Sequence, residues 1–173
     1  MKNVNQLDHF QTPVYSHNIS LIVICDRVEK PANMGMILRL CDAFNISKCY
    51  FVGNEIEELP QKARKVSRSA FERVNYTFIK SVDELMSQLR KDNYKIIGLE
   101  LTDRSKDLRE FDFSKVSKIA FVIGSEKHGL SREMLGILDD AVMIPLFGGV
   151  SSLNVVNSLS IGLFEVIRQK TKN

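Results

Sequence analysis

The sequence predicts an α/β protein built on a mostly parallel sheet with helices on both faces. Three observations carry that prediction. Short β-rich runs alternate with stretches of helical periodicity along the chain. Most of these runs are continuously apolar rather than alternating, as strands covered on both sides are. No linker, internal repeat or low-complexity tract divides the 173 residues, so 1–173 are expected to form one domain.

The elements follow in order. Residues 1–18, "MKNVNQLDHFQTPVYSHN", are polar and are expected to form an N-terminal arm or helix. "SLIVIC" (20–25) is the first strand, and a helix is expected from around Met34 after the interruptions at Pro31 and Asn33. "KCYFV" (48–52) and "VNYTFI" (74–79) are strands, separated by a basic segment. "SVDELMSQLRKD" has helical spacing, with Ser81 and Glu84 placed as a capping box. "KIIGLE" (95–100) and "IAFVIG" (119–124) are strands, and Ser114 or Ser131 offers a weaker cap. "SREMLGILDD" reads as a helix and "AVMIP" (141–145) as a strand ended by Pro145. "LNVVNSLSIGLFEVIRQK" is the terminal helix, with Ser151 or Ser152 expected as its cap.

Composition narrows the function. Hydrophobic residues make up 44% and charged residues 26%, the balance of an ordinary globular domain. No apolar run approaches the ~20 residues that a membrane span needs, and the polar N-terminus has no signal-peptide core, so a cytoplasmic protein is expected. Cys25, Cys41 and Cys49 read as buried reduced thiols, and the scattered His9, His17 and His128 form no metal-ligand pattern. No metal is therefore expected. A net charge of +3 is too small to identify a nucleic-acid partner without local clustering. The chain has no G-x-G-x-x-G, which argues against a dinucleotide site and against the usual glycine-rich methyltransferase fold.

Open parallel sheets bind ligands beyond the carboxyl ends of their strands. Three strand-end loops stand out. After the first strand, "DRVEKPANMGMILRLCDAF" places Arg39 on a narrow polar sector with Gly35 and Asp42, where it either pairs with Asp42 or serves a site. "GSEKHGLS" brackets a turn with two glycines, which a plain β–α turn also explains. "MIPLFGGVSSLNVVNSLS" puts four serines and two asparagines into an otherwise apolar context. A cap explains part of this. Asn154 and Asn157, poor helix formers, remain. The segment 61–73, "QKARKVSRSAFER", concentrates Lys62, Arg64, Lys65, Arg68 and Arg73, either as a solvated face or to contact phosphates.

Taken together, these loops resemble the SpoU branch of the SPOUT RNA methyltransferases, from about residue 19 to 169. Asn33, Gly35 and Arg39 match its first motif, N-x-G-x-x-x-R. Gly124, Glu126 and Gly129 in "FVIGSEKHGLS" resemble the second, and Pro145, Ser152, Leu153 and Asn154 in "MIPLFGGVSSLNV" the third. "LELTDRSKDLREFDF" is similar to the subgroup that methylates guanosine 18 of tRNA.

The resemblance implies S-adenosylmethionine as cofactor, methylation of a ribose 2′-hydroxyl in structured RNA, a deep C-terminal trefoil knot, and a homodimer with shared active sites. It implies Arg39, Asn33, Glu126, Ser152 and Asn154 as the catalytic set. Arg39 would be an electrostatic partner of the developing alkoxide, since a guanidinium is not deprotonated in proteins. Leu99, Glu100, Leu101, Gly124, Ile144 and Leu153 would hold the cofactor. Arg64, Lys65 and Arg68 would contact RNA. The expected target is guanosine 18 in the tRNA D-loop. The tRNA wobble nucleotide and a 23S rRNA guanosine are alternatives, and a non-catalytic RNA-binding factor is the alternative of another class.

Overall fold

The computed structural model describes residues 4–8 and 10–172. Met1, Lys2, Asn3 and His9, part of the expected N-terminal segment, lie outside the described residues. The described part of that segment is an arm without helix, turned once at Asp8–Gln11 and largely exposed. His17 fastens its end. One ring nitrogen bonds the Phe44 carbonyl at 2.8 Å, and Ile19 N–H donates to the other at 3.3 Å.

Seven strands form one sheet in which every pairing is parallel. They are β1 (Ser20–Asp26), β2 (Lys48–Val52), β3 (Tyr76–Ile79), β4 (Lys95–Leu99), β5 (Lys106–Asp107), β6 (Lys118–Ile123) and β7 (Asp140–Met143). The order is β3-β2-β1-β6-β4-β7-β5. Continuous apolar strands supply two cores, because successive side chains point to opposite faces. Leu21, Val23 and Cys25 of β1 join Phe121 of β6 on one face, with helices α1 (Pro31–Ala43) and α6 (Val155–Lys170) over them. Ile22 and Ile24 face the other way, under α4 (Val82–Lys91) and α5 (Arg132–Leu135). Burying each such side chain contributes about 1.5–3 kcal/mol.

The basic segment, read from sequence only for its charge, forms two short helices, α2 (Gln61–Ser67) and α3 (Ala70–Arg73). A Cβ on Gly35 would lie 2.4 Å from the Ala63 carbonyl oxygen, so a glycine in α1 is what lets α2 seat against it. Gly35 is therefore at a helix contact and not on a solvated sector. Three other expectations are corrected. Pro31 does not interrupt α1 but opens it, where its fixed φ suits the first helical position. The helix expected over 131–140 stops at Leu135, before Gly136. Ser81 makes no side-chain cap, whereas Ser131 accepts from Met134 N–H at 3.2 Å.

The order of the last four strands fixes the path of the chain. After β4 it passes to β5, on the far side of β7, and then returns through a 3-10 turn (Phe113–Lys115) to β6, on the near side of β4. The returning segment holds the end of α6. Phe113 N–H donates to Gln169 Oε1 at 2.8 Å, Gln169 Nε2 donates to the Phe111 carbonyl at 3.0 Å, and Lys170 Nζ donates to the Val116 carbonyl at 2.7 Å.

Candidate active site

The carboxyl ends of β4, β6 and β7 open into a cleft of about 580 Å³, within the range of small-molecule sites. Each loop is locally fixed. After β6, Ser125 and Gly129 exchange two backbone hydrogen bonds of 2.9 and 3.0 Å. That closes a tight turn in which a Cβ on Gly124 would fall 2.1 Å from the Gly129 carbonyl carbon. Gly129 itself has φ +65°, a conformation glycine adopts freely.

The Glu100 carboxylate ties this turn to the loop after β4. It accepts from Leu101 N–H at 2.9 Å and from Leu130 N–H at 3.2 Å. The wholly buried Asp26, at the end of β1, accepts from Ser131 N–H at 2.6 Å and so fixes the start of α5 beside the first loop.

The motif residues sort into three groups. Leu99, Glu100, Leu101, Gly124, Glu126, Ile144, Ser152 and Leu153 all line the cleft. Asn33 reaches across from the first turn of α1 and its Nδ2 donates to Glu126 Oε1, joining the first motif to the second. Arg39 and Asn154 are not among the lining residues.

Arg39 is exposed and makes no hydrogen bond or ion pair with a described residue. The pairing with Asp42 that its spacing allows is not formed. Asp42 instead accepts from Arg73 in α3 at 2.6 and 2.9 Å, and that guanidinium holds its carboxyl below the usual range.

Asn154 corrects the capping assignment. It is itself the N-cap of α6, accepting from Val156 N–H at 2.9 Å, in place of Ser151 or Ser152. Its side-chain oxygen therefore secures the helix start while Ser151 and Ser152 border the cleft. Asn157, one turn on, does not line the cleft, whereas its neighbour Ser158 does. Sequence reading missed Ser158. The signal was its spacing of three from Val155, which also lines the cleft and lies on the same flank of the helix. Arg64, Lys65 and Arg68 are exposed on or just after α2. Arg64 bonds the Leu59 carbonyl at 3.1 Å and sits 3.8 Å from Glu58. No group of three or more metal-ligating side chains occurs among the described residues.

Fold and cleft together define an open parallel α/β protein with its ligand site at the strand ends and no phosphate-cradling glycine loop. The chain belongs to the SpoU rRNA Methylase family, which matches residues 20–164. It is 32% identical over 152 residues to a tRNA (guanosine(18)-2′-O)-methyltransferase of Thermus thermophilus, covering 88% of this chain and 76% of the relative. It is 31% identical over 155 residues to the 23S rRNA (guanosine-2′-O-)-methyltransferase RlmB of Salmonella typhi, covering 90% of this chain and 63% of the relative. Among solved structures, the SpoU methyltransferase AviRb from Streptomyces viridochromogenes matches with a TM-score of 0.80 and 27% identity, over 87% of this chain and 59% of that one. The chain thus spans less than two thirds of the RlmB and AviRb chains.

Proposed function

We propose that this protein is an S-adenosylmethionine-dependent methyltransferase acting on a ribose 2′-hydroxyl of structured RNA. The observation that carries the reading is that the second and third motif loops line one cleft, to which the first is joined by the bond of Asn33 to Glu126. The cleft suits this cofactor. Leu99, Leu101, Ile144 and Leu153 offer apolar walls, and the charged lining is Glu100 and Glu126 against Lys127. That balance favours a cationic sulfonium and disfavours a phosphate group. When bound, the cofactor supplies an electrophilic methyl group.

The chain's own residues position the acceptor. Glu126, oriented by Asn33, borders the cleft where the ribose would enter, and Ser152 on the third loop lines the same cleft. Arg39 keeps its five donors free for the developing alkoxide and a neighbouring phosphate. It lies one turn past Gly35, where α1 meets α2, and the exposed Arg64, Lys65 and Arg68 would extend it as a track for the RNA backbone. Because Arg39 stands outside the cleft of its own chain, a second copy completing each site is part of the proposal. The exposed Ile161 and Phe164 on α6 would form the contact. The chain's path around β7, with α6 held by the returning segment, supports the deep C-terminal knot.

Guanosine 18 of tRNA is the favoured target, on the strength of the Thermus thermophilus relative. A 23S rRNA guanosine is the second reading, supported by RlmB. The test is Arg39→Ala with labelled methyl transfer to RNA. Turnover should be lost while affinity for S-adenosylhomocysteine, measured calorimetrically, stays within about twofold. Substantial residual transfer refutes the assignment of Arg39. Mapping the modified nucleotide by mass spectrometry decides between the two targets.

A further inference from the structure

We propose that Phe147 is a stacking platform for an RNA base at the mouth of the cleft. The inference rests on the RNA-methylation reading and adds a ligand contact to it. Phe147 is 88% exposed, an unusual position for a phenylalanine outside a binding surface. It follows Leu146 and precedes Val150, and both of those line the cleft. The Arg109 guanidinium lies 5.8 Å from the ring centroid, close enough for a cation–π contact. Arg109 is itself held by Asp107, with Nε–Oδ1 at 3.0 Å and Nη2–Oδ2 at 2.5 Å.

The following residues bear this out. Gly148 and Gly149 do not adopt positive φ, and a Cβ on either would meet no atom within 4 Å. Neither conformation nor packing inside the chain demands glycine here. What glycine leaves is open space beside the ring for close approach by a ligand. The surroundings favour a nucleic acid over an apolar protein surface, since Arg109 sits at the ring, Lys127 lines the cleft and Arg104 is exposed on the loop after β4. An aromatic face with a guanidinium beside it is the chemistry that holds an unstacked RNA base next to its phosphates.

The chain contains no tryptophan, which makes the test direct. In Phe147→Trp the new indole is the sole tryptophan, and its emission reports stacking. Titration with tRNA or 23S rRNA should quench it saturably. Phe147→Ala should weaken RNA affinity by roughly 5- to 150-fold. The salt dependence of binding and the affinity for S-adenosylhomocysteine should not change. Quenching by S-adenosylhomocysteine alone would assign the ring to the cofactor and overturn the proposal. Emission that varies with protein concentration in the absence of RNA would assign it to a second copy, with the same consequence. RNA binding of wild-type strength by Phe147→Ala also refutes it. If the wild-type protein binds neither RNA, the functional reading fails and this inference fails with it.

Discussion

Single side chains do two kinds of work around the cleft. Some point into it, and others hold the loops that form it. Glu100 belongs to the second kind: its carboxylate occupies two backbone N–H groups on different loops. Gly124 is the strictest case, because backbone and not a movable side chain occupies the space its Cβ would need. Gly124→Ala is expected to destabilise the fold by about 1–3 kcal/mol, the usual cost of overpacking, and to weaken cofactor binding at least tenfold. Denaturant unfolding and calorimetry with S-adenosylhomocysteine measure the two effects. At this scale sequence was an uneven guide. The pattern of Asn33, Glu126 and Asn154 was visible, but the bond that joins Asn33 to Glu126 links residues 93 positions apart and leaves no local trace. Asn154 as a cap was hidden by two nearer-looking serines.

At the scale of elements, legibility follows burial. β1, β2 and β6 are continuous apolar runs because both their faces are covered, and they stood out at once. α2 did not. Only Ala63 and Ser67 of its seven residues are buried, so no apolar periodicity marks it. β5 is two residues long and is defined wholly by pairing with β7. α2 also carries the prediction that belongs to this scale. If its basic face follows an RNA backbone, replacing Arg64, Lys65 and Arg68 together should make the salt dependence of RNA affinity shallower by about two to three charges. Binding measured across a salt series tests this, and an unchanged slope would mean that the face is only solvated.

For the whole molecule, the parallel sheet and the wrapped return to β6 make most stabilising contacts distant in sequence, a topology that folds slowly. The exposed Ile161 and Phe164 face of α6 is where a second copy would be joined. Phe164→Asp should shift the protein toward monomer in sedimentation and reduce methyl transfer in step, because each site would lose the Arg39 that the other copy brings. Monomer with full activity would remove the shared-site proposal. The three free cysteines add a way to watch this layer. Cys25, Cys41 and Cys49 are all fully buried, in β1, α1 and β2, with Cys25 and Cys49 Sγ atoms 4.0 Å apart. Burial pushes the Cys25 thiol up, contact with Cys49 and then burial push up Cys41, and contact with Cys25 together with burial pushes up Cys49. All three belong to the core that α1 covers, so lifting α1 from the sheet is an opening that would admit a thiol reagent. The rate of labelling would thus time openings of this core, that of the helix carrying Arg39 among them.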